Sequence, residues 1–349
     1  MPNIKQKILQ TSGPLGGYKC ARWLTRSTPK ILMYHRFSRR PRYGYVHKEI
    51  FENQVAYLSR YYNVISMGDL LKYIRGRVSL PENAAVITVD DGYFDFYEIA
   101  YPILRKYGLP ATFFVPTRFV GGDCWLWPDR VRYILDSSTS VTIPGVLGAE
   151  ENQYVSLTDQ TRQYLWRLVI AFLLSLEEED KNKWLDMFAK RQGVLLPERP
   201  SECYQAVNWD HVRELHANNI ERVGHSRTHP SLVRMQVGAL QYEIQGSFDD
   251  IAENIVQAPE CFCYPNGQPY DYTETIKKHV ENVGYLGAVT AFFDRHITED
   301  VYELRRFRGS ENWFEFLKSV NGVEALTAQW LGADNIISSD NIVNEVIDL

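Results

Sequence analysis

The sequence predicts an α/β fold, a parallel sheet or barrel wrapped by helices and interrupted once by an inserted segment. Three observations predict it. Short runs such as "AAVITVD" are apolar on both faces, as strands covered by helices on two sides are. These runs alternate with segments of helical periodicity. The alternation stops near residue 121 and resumes near 208.

Taken in order, "KILMYHRF" (30–37) reads as a short buried strand ending in a polar pair. In "HKEIFENQVAYLSRYYNVISMGDLLKYI", Phe51, Val55 and Leu58 recur at helical spacing; "NVIS" then reads as a strand and "MGDLLKYI" as a short helix. "AAVITVD" is the next strand. A helix follows it, Gly108-Leu109-Pro110 stops that helix, and "ATFFV" is a strand again. The segment from 121 to 207 is mixed. It holds two helical stretches, 159–176 and 178–191, with the acidic run Glu177-Glu178-Glu179-Asp180 expected as a solvated helix start at the positive end of the dipole. Trp166, Leu168, Val169, Phe172 and Leu173 are spaced as a buried helical face. After "WDHVRELHANN" (helix) come "IERVGHSRTHP" (strand with a polar end), "ALQYEIQGSFDDIAENI" (helix), "CFCYPNG" (strand and turn), "YTETIKKHVENVG" (helix) and "LGAVTAF" (strand). The divisions expected are a leader, 1–29; a main domain, 30–120 with 208–320; an insertion or cap, 121–207; and a tail, 321–349.

With 349 residues and 45% hydrophobic content, the chain is long enough for one large catalytic domain with an elaboration. Acidic residues outnumber basic ones, 43 to 38, so the net charge of −5 gives no reason to expect a nucleic-acid partner. Twenty-two Tyr and eight Trp suit cores as well as carbohydrate platforms. The five cysteines form neither a disulfide framework nor a zinc-finger spacing, and their odd number points to a reducing compartment. The first thirty residues hold no continuous apolar segment before "ILMYH". The longest apolar run, "LVIAFLLSL", falls short of the roughly 20 residues of a membrane span. The expectation is a cytoplasmic protein without a transmembrane segment, with peripheral membrane contact left open and the oligomeric state undetermined.

Three strands end in chemistry-bearing residues: Tyr34-His35, Asp90-Asp91-Gly92 and His225-Ser226-Arg227-Thr228-His229. Ligands converge at the carboxyl ends of strands in such folds. Two imidazoles four residues apart plus one carboxylate suit a divalent metal with open positions. A second carboxylate, kept off the metal, suits a general base. Gly92 allows a turn tight enough to bring both carboxylates to one pocket.

"TVDDG" (88–92) with "HSRTH" (225–229) resembles the paired motifs of the polysaccharide deacetylase family, and "ATFFVPTRFVG", "NWDHVRELHANNIERVGHSRTHP" and "FCYPNG" agree with it. The resemblance covers about 30–135 and 208–310. It implies an irregular (β/α)7 barrel carrying a mixed, partly helical insertion, and metal-dependent hydrolysis of acetyl groups on sugars. By the same resemblance Asp90 is the general base, and Asp91, His225 and His229 hold the metal, Zn2+ first with Ni2+ or Co2+ as alternatives. "CYPNG" places Tyr264, Pro265, Asn266 and Gly267 along the substrate groove and near the oxyanion. Many members brace the base with an arginine where this chain has Cys263; Arg227 and Arg306 are the replacements available. The common late Leu-x-His acid motif is missing. "ILMYHRF" instead resembles the early motif of the poly-N-acetylglucosamine deacetylase branch, which makes His35 the general acid and His296 the reserve. Trp125 and Trp127, close behind a strand end, are candidates for stacking on a sugar. The substrate expected is an acetylated amino sugar in a glycan, glycolipid or precursor. The rivals are hydrolysis of a non-sugar linear amide, or a non-catalytic glycan-binding relative.

Overall fold

The computed structural model describes residues 16–76, 78–143, 153–200, 202–294 and 296–326. Eight parallel strands form the central sheet: β1 (Lys30–Tyr34), β2 (Asn63–Val64), β3 (Ala84–Val89), β4 (Ala111–Val115), β5 (Ile220–Gly224), β6 (Cys261–Cys263), β7 (Gly287–Val289) and β8 (Phe307–Arg308). Seven of them lie in the order β7-β6-β5-β4-β3-β1-β8, and β2 pairs with the start of β3. This is the seven-strand path of the expected barrel. Every residue of β1, β3 and β4 is buried, which is why those runs, Lys30, Thr88 and Thr112 apart, are apolar without alternation.

The gap between the sheet's two ends is spanned by one segment. Leu304 bridges Val289 in β7, and three residues later Phe307 pairs with Leu32 in β1. The segment 304–308 therefore closes the barrel, and whatever side chain it turns inward enters the core beside the strand ends. Helices Lys48–Tyr61, Tyr101–Tyr107, Trp209–Ala217, Val237–Ile255 and Glu274–Val283 surround the sheet. Three of them start at side-chain caps, His47, Asn208 and Thr273, which satisfy free N–H groups of the first turn.

The insertion builds its own small core. Helix Trp127–Asp136, an antiparallel hairpin (Ser140–Ile143 with Gln153–Ser156) and helices Asp159–Leu174 and Glu178–Arg191 bury Val131, Leu135, Leu165, Val169, Leu173, Leu185 and Phe188 together. Trp166, Leu168 and Phe172 pack at the edge of that core rather than inside it. The described part of the leader carries helix Tyr18–Leu24, whose Tyr18 and Ala21 pack against Phe314, Leu317 and Val323. Residues 1–15 of the leader and 327–349 of the tail lie outside the described residues. Among the described residues no helix is long and apolar enough to cross a membrane. All five cysteines are free.

Candidate active site

The site is assembled from the ends of five strands, β1, β3, β5, β6 and β7, and the closing segment. Strand β3 delivers Asp90 and Asp91. Asp91 has φ 77° and Gly92 φ 76°, so the aspartate itself occupies the left-handed region that L residues avoid. This reversal answers how two neighbouring carboxylates face one pocket: the strand's alternation ends at Asp90, and Asp91 turns back. A Cβ at Gly92 would meet Val120 at 3.3 Å and Pro116 at 3.4 Å, so glycine is needed both for its φ and for its space.

Beyond β5, the loop 225–231 makes a tight turn rather than a helix. Ser226 and His229 both have φ 59°, and the His229 N–H donates to Ser226 Oγ at 3.0 Å. Glu243, 2% exposed, accepts from the backbone N–H of Arg227 (2.8 Å) and Thr228 (2.9 Å) and from Thr228 Oγ1 (2.7 Å). These bonds hold the strained turn in place.

Asp91 Oδ1 lies 3.3 Å from His225 Nε2 and 3.5 Å from His229 Nε2. Two ligands about 2.1 Å from one ion, at a tetrahedral angle, stand about 3.4 Å apart, so the spacing fits a metal such as zinc. His225 Nδ1 is 2.9 Å from the Cys263 carbonyl and donates to it, which leaves Nε2 as the ligand atom. Burial, then neighbouring His225, push the His229 imidazole down to about 4, so it is neutral with a free lone pair. Burial alone would raise Asp91; the adjoining histidines hold it well below the usual carboxylate range. The grouping of Asp90, His225 and Cys263 is also compact, but it is committed elsewhere. Asp90 is taken up by an arginine, and burial pushes the Cys263 thiol up, away from the thiolate a metal requires.

That arginine is Arg306, from the closing segment. It is 1% exposed and forks onto Asp90, with Nη1 to Oδ1 and Nη2 to Oδ2 both at 2.7 Å. Its remaining donors go to Thr88 Oγ1, the Thr290 carbonyl and Cys263 Sγ. Burial pushes Asp90 up, but Arg306 outweighs burial and keeps the carboxylate below its ordinary value. Asp90 is therefore an ionised group, oriented on two oxygens, beside the metal-type triad but not part of it.

In front lies a small cavity of about 140 Å3 lined by His35, Asp90, Asp91, His225, His229, Tyr264, Asn266 and Ala291. His35 Nε2 is 3.7 Å from Asp90 Oδ2, and the ring is partly open to solvent. The loop carrying His35 is pinned by Asp95, which accepts from Arg36 Nε (2.7 Å) and from Phe37 N (3.2 Å). Asn266 presents a buried Nδ2 with no hydrogen-bond partner. Gly267 lies so close to Ala291 that a Cβ would come within 2.7 Å of its backbone nitrogen.

Comparison with known proteins fits this geometry. A profile of the polysaccharide deacetylase family matches residues 77–144 and 184–288. The chain belongs to that family. Its unmatched stretch, 145–183, falls inside the segment expected as an insertion, 121–207, whose two ends the profile also matches. The Bacillus subtilis protein YxkH, named for a polysaccharide deacetylase, is 29% identical over 145 residues, 40% of this chain and 50% of YxkH. The poly-beta-1,6-N-acetyl-D-glucosamine N-deacetylase of Escherichia coli is 41% identical over 51 residues, 15% of this chain and 8% of that enzyme. The chain thus spans half or less of these curated relatives. Among solved structures, IcaB from Ammonifex degensii aligns with TM-score 0.54 at 16% identity, covering 84% of this chain and 97% of that one. The Streptococcus pyogenes deacetylase PplD aligns with TM-score 0.53 at 17% identity, covering 81% and 92%. At these identities the structural likeness concerns the fold.

Within this deacetylase frame, several expected residues are placed elsewhere. Arg227 does not reach Asp90: its guanidinium pairs with Asp250 at 2.6 Å and stacks over Tyr242, because the turn points it outward onto helix Val237–Ile255. Trp125 and Trp127 do not line the cavity. Trp125 packs on Tyr133 and Tyr204, and Trp127, 5% exposed, is buried behind His229 with its indole N–H on the His229 carbonyl. Pro265 and Gly267 shape the turn behind the cavity without lining it. His296 pairs with Glu299, away from the cavity. The acidic run is not simply solvated either: Glu178 accepts from Ser231 N on the metal-type loop. Sequence reasoning missed Glu243 altogether, since a glutamate in a long amphipathic helix carries no local mark of its burial.

Proposed function

We propose that this chain removes the N-acetyl group from an amino sugar in a glycan, glycolipid or sugar precursor, releasing acetate. The reading places a divalent ion, Zn2+ first, on Asp91, His225 and His229. The observation that carries it is the unequal pairing of the two adjacent carboxylates. Asp91 faces two imidazoles, whereas Asp90 is held ionised by Arg306 and left off that set. The E. coli relative is named for N-acetylglucosamine, which supports that sugar as the substrate unit.

The bound ion would supply Lewis acidity toward water and the acetyl carbonyl. Asp90 takes a proton from the attacking water as the new carbon–oxygen bond forms; Arg306 fixes which oxygens face the cavity. The unpartnered Nδ2 of Asn266 is a donor available to a substrate oxygen at the cavity wall. His35 then gives a proton to the departing sugar nitrogen as the carbon–nitrogen bond breaks, because an unprotonated amide nitrogen is a poor leaving group. Its partly open ring can regain that proton from solvent. No Arg or Lys lines the cavity among the described residues, so a substrate carboxylate finds no partner there; this disfavours the linear-amide reading. The presence of the Arg306 brace disfavours a non-catalytic relative.

The test is Asp90→Asn, measured by acetate release from N-acetylglucosamine oligomers and by Zn2+ titration. Loss of a general base lowers the rate by about 10²–10⁴-fold, with Zn2+ affinity retained. Acetate release at the wild-type rate would overturn the assignment.

A further inference from the structure

The two histidines of the metal-type triad are held in different ways. His225 has the usual outer partner, its Nδ1 donating to the Cys263 carbonyl. His229 has none: its Nδ1 is buried without a hydrogen-bond partner. With no outer hydrogen bond on Nδ1, the ring's direction is left to its contact with His225 and to the backbone that carries it. That backbone is in the left-handed region, at φ 59°, and one of its carbonyls is held from outside the barrel.

The holder is the insertion. Trp127 Nε1 donates to the His229 carbonyl at 3.1 Å. Two residues on, Ser231 N donates to Glu178 Oε1 at 2.7 Å. Glu178 is paired with Lys181, whose fully buried Nζ sits 4.5 Å from the centre of the Trp127 ring. Indole, cation and carboxylate thus form one closed unit drawn from helices Trp127–Asp136 and Glu178–Arg191. It grips residues 229–231, while Glu243 grips 227–228 from the barrel side. A third tie joins the same insertion to the other ligand-bearing turn: Tyr93 Oη donates to Asp129 at 2.8 Å. Burying a lysine is costly unless it is paired, and here the pair lies against the loop rather than in solvent.

We propose that the insertion is a positioning element for the metal site, with Trp127 and the Glu178–Lys181 pair setting the orientation of His229. The inference rests on the reading of Asp91, His225 and His229 as metal ligands. It assigns to the insertion the support of the metal loop, in place of the sugar-stacking task expected of Trp127.

The test is Zn2+ affinity of the full chain, by competition with a chromophoric chelator, beside urea unfolding of the metal-free protein. Trp127→Phe removes the indole N–H and keeps a smaller aromatic ring beside Lys181, the lost volume being controlled for by the core variant Val169→Ala. The Trp127 N–H acts on the backbone of His229 and not on its ring, so the result expected is a loss of about 10-fold in Zn2+ affinity, the low end of what losing a ligand's direct outer partner costs. Val169→Ala, a cavity in the insertion core on a helix that supplies neither of the hydrogen bonds to residues 229–231, lowers stability and leaves Zn2+ affinity unchanged. The paired change Glu178→Ala with Lys181→Met removes the ion pair as a unit and weakens Zn2+ binding in the same direction, which keeps the test open if Trp127→Phe does not fold. Wild-type affinity in Trp127→Phe, or in the paired variant, overturns the inference and leaves the functional reading intact. An equal loss in Val169→Ala overturns it too, since general softening would then suffice. A wild-type chain that binds no Zn2+ removes both.

Discussion

Replacing Arg306 by methionine removes the guanidinium that forks onto Asp90 while filling much of its space. Asp90 is 2% exposed and Arg306 1%, so water does not take the vacated place freely. The fork lost is two bonds at 2.7 Å, with further donations to Thr88 and Thr290. Breaking a buried ion pair from one side costs about 3–5 kcal/mol, chiefly because the other charge is stranded. Arg306→Met should therefore lower the unfolding free energy at pH 7 by about that amount. Asp90→Asn combined with Arg306→Met should recover most of it, since no charge is then left buried. The pH dependence has a definite sign. In the wild type Asp90 lies below its ordinary value, so its contribution is present above about pH 4 and lost as pH falls through the native value. Without Arg306, burial, the largest influence on Asp90, is opposed only by the smaller pulls of His35 and His225, so the carboxyl rises and the variant regains stability as pH falls and Asp90 takes a proton. Urea denaturation of the wild type, both single variants and the double variant, at about pH 7 and about pH 5, reads every term. A double variant no more stable than Arg306→Met, or a deficit equal at both pH values, would refute the argument.

Two further outcomes follow from the same structure. Zn2+ at about one hundred times its Kd should raise the unfolding free energy by about 2.7 kcal/mol, reversibly on chelation; His225→Ala should abolish the gain, and a gain that persists would place the ion elsewhere. Burial pushes the Asp129 carboxyl up to about 7 against the opposing pull of Arg36. Such a raised carboxyl costs nothing below the unfolded value of about 4 and its full amount above about 7. Asp129→Asn should accordingly stabilise the protein at about pH 8 and leave it unchanged at about pH 4, with thermal melts at both values as the check.

Much of the site was legible because its key residues sit in short local motifs at strand ends. An apolar strand that stops at Asp90-Asp91-Gly92, and another that stops at His225-x-x-x-His229, announce a rim in any covered α/β sheet. The part that could not be read depends on which chain segments meet. By sequence, Arg306 and Arg227 stand equal as candidates for the brace. The closing of the barrel by 304–308 turns Arg306 inward and leaves Arg227 on the outer surface with Asp250. Trp127 was a plausible sugar platform by position, and only the seating of its helix against loop 225–231 shows that its N–H is spent on His229.

The strand–helix rhythm, the catalytic-type carboxylates and the paired histidines were determined by the sequence alone, because periodicity and local motif spacing act within a few residues. The brace on Asp90, the clamp by Glu243 and the grip of the insertion on the metal-type loop were decided by the tertiary structure. Each joins residues separated by between 15 and 216 positions. A buried polar group is satisfied by whatever donor the fold brings within about 3 Å, and a linear sequence carries no record of that distance.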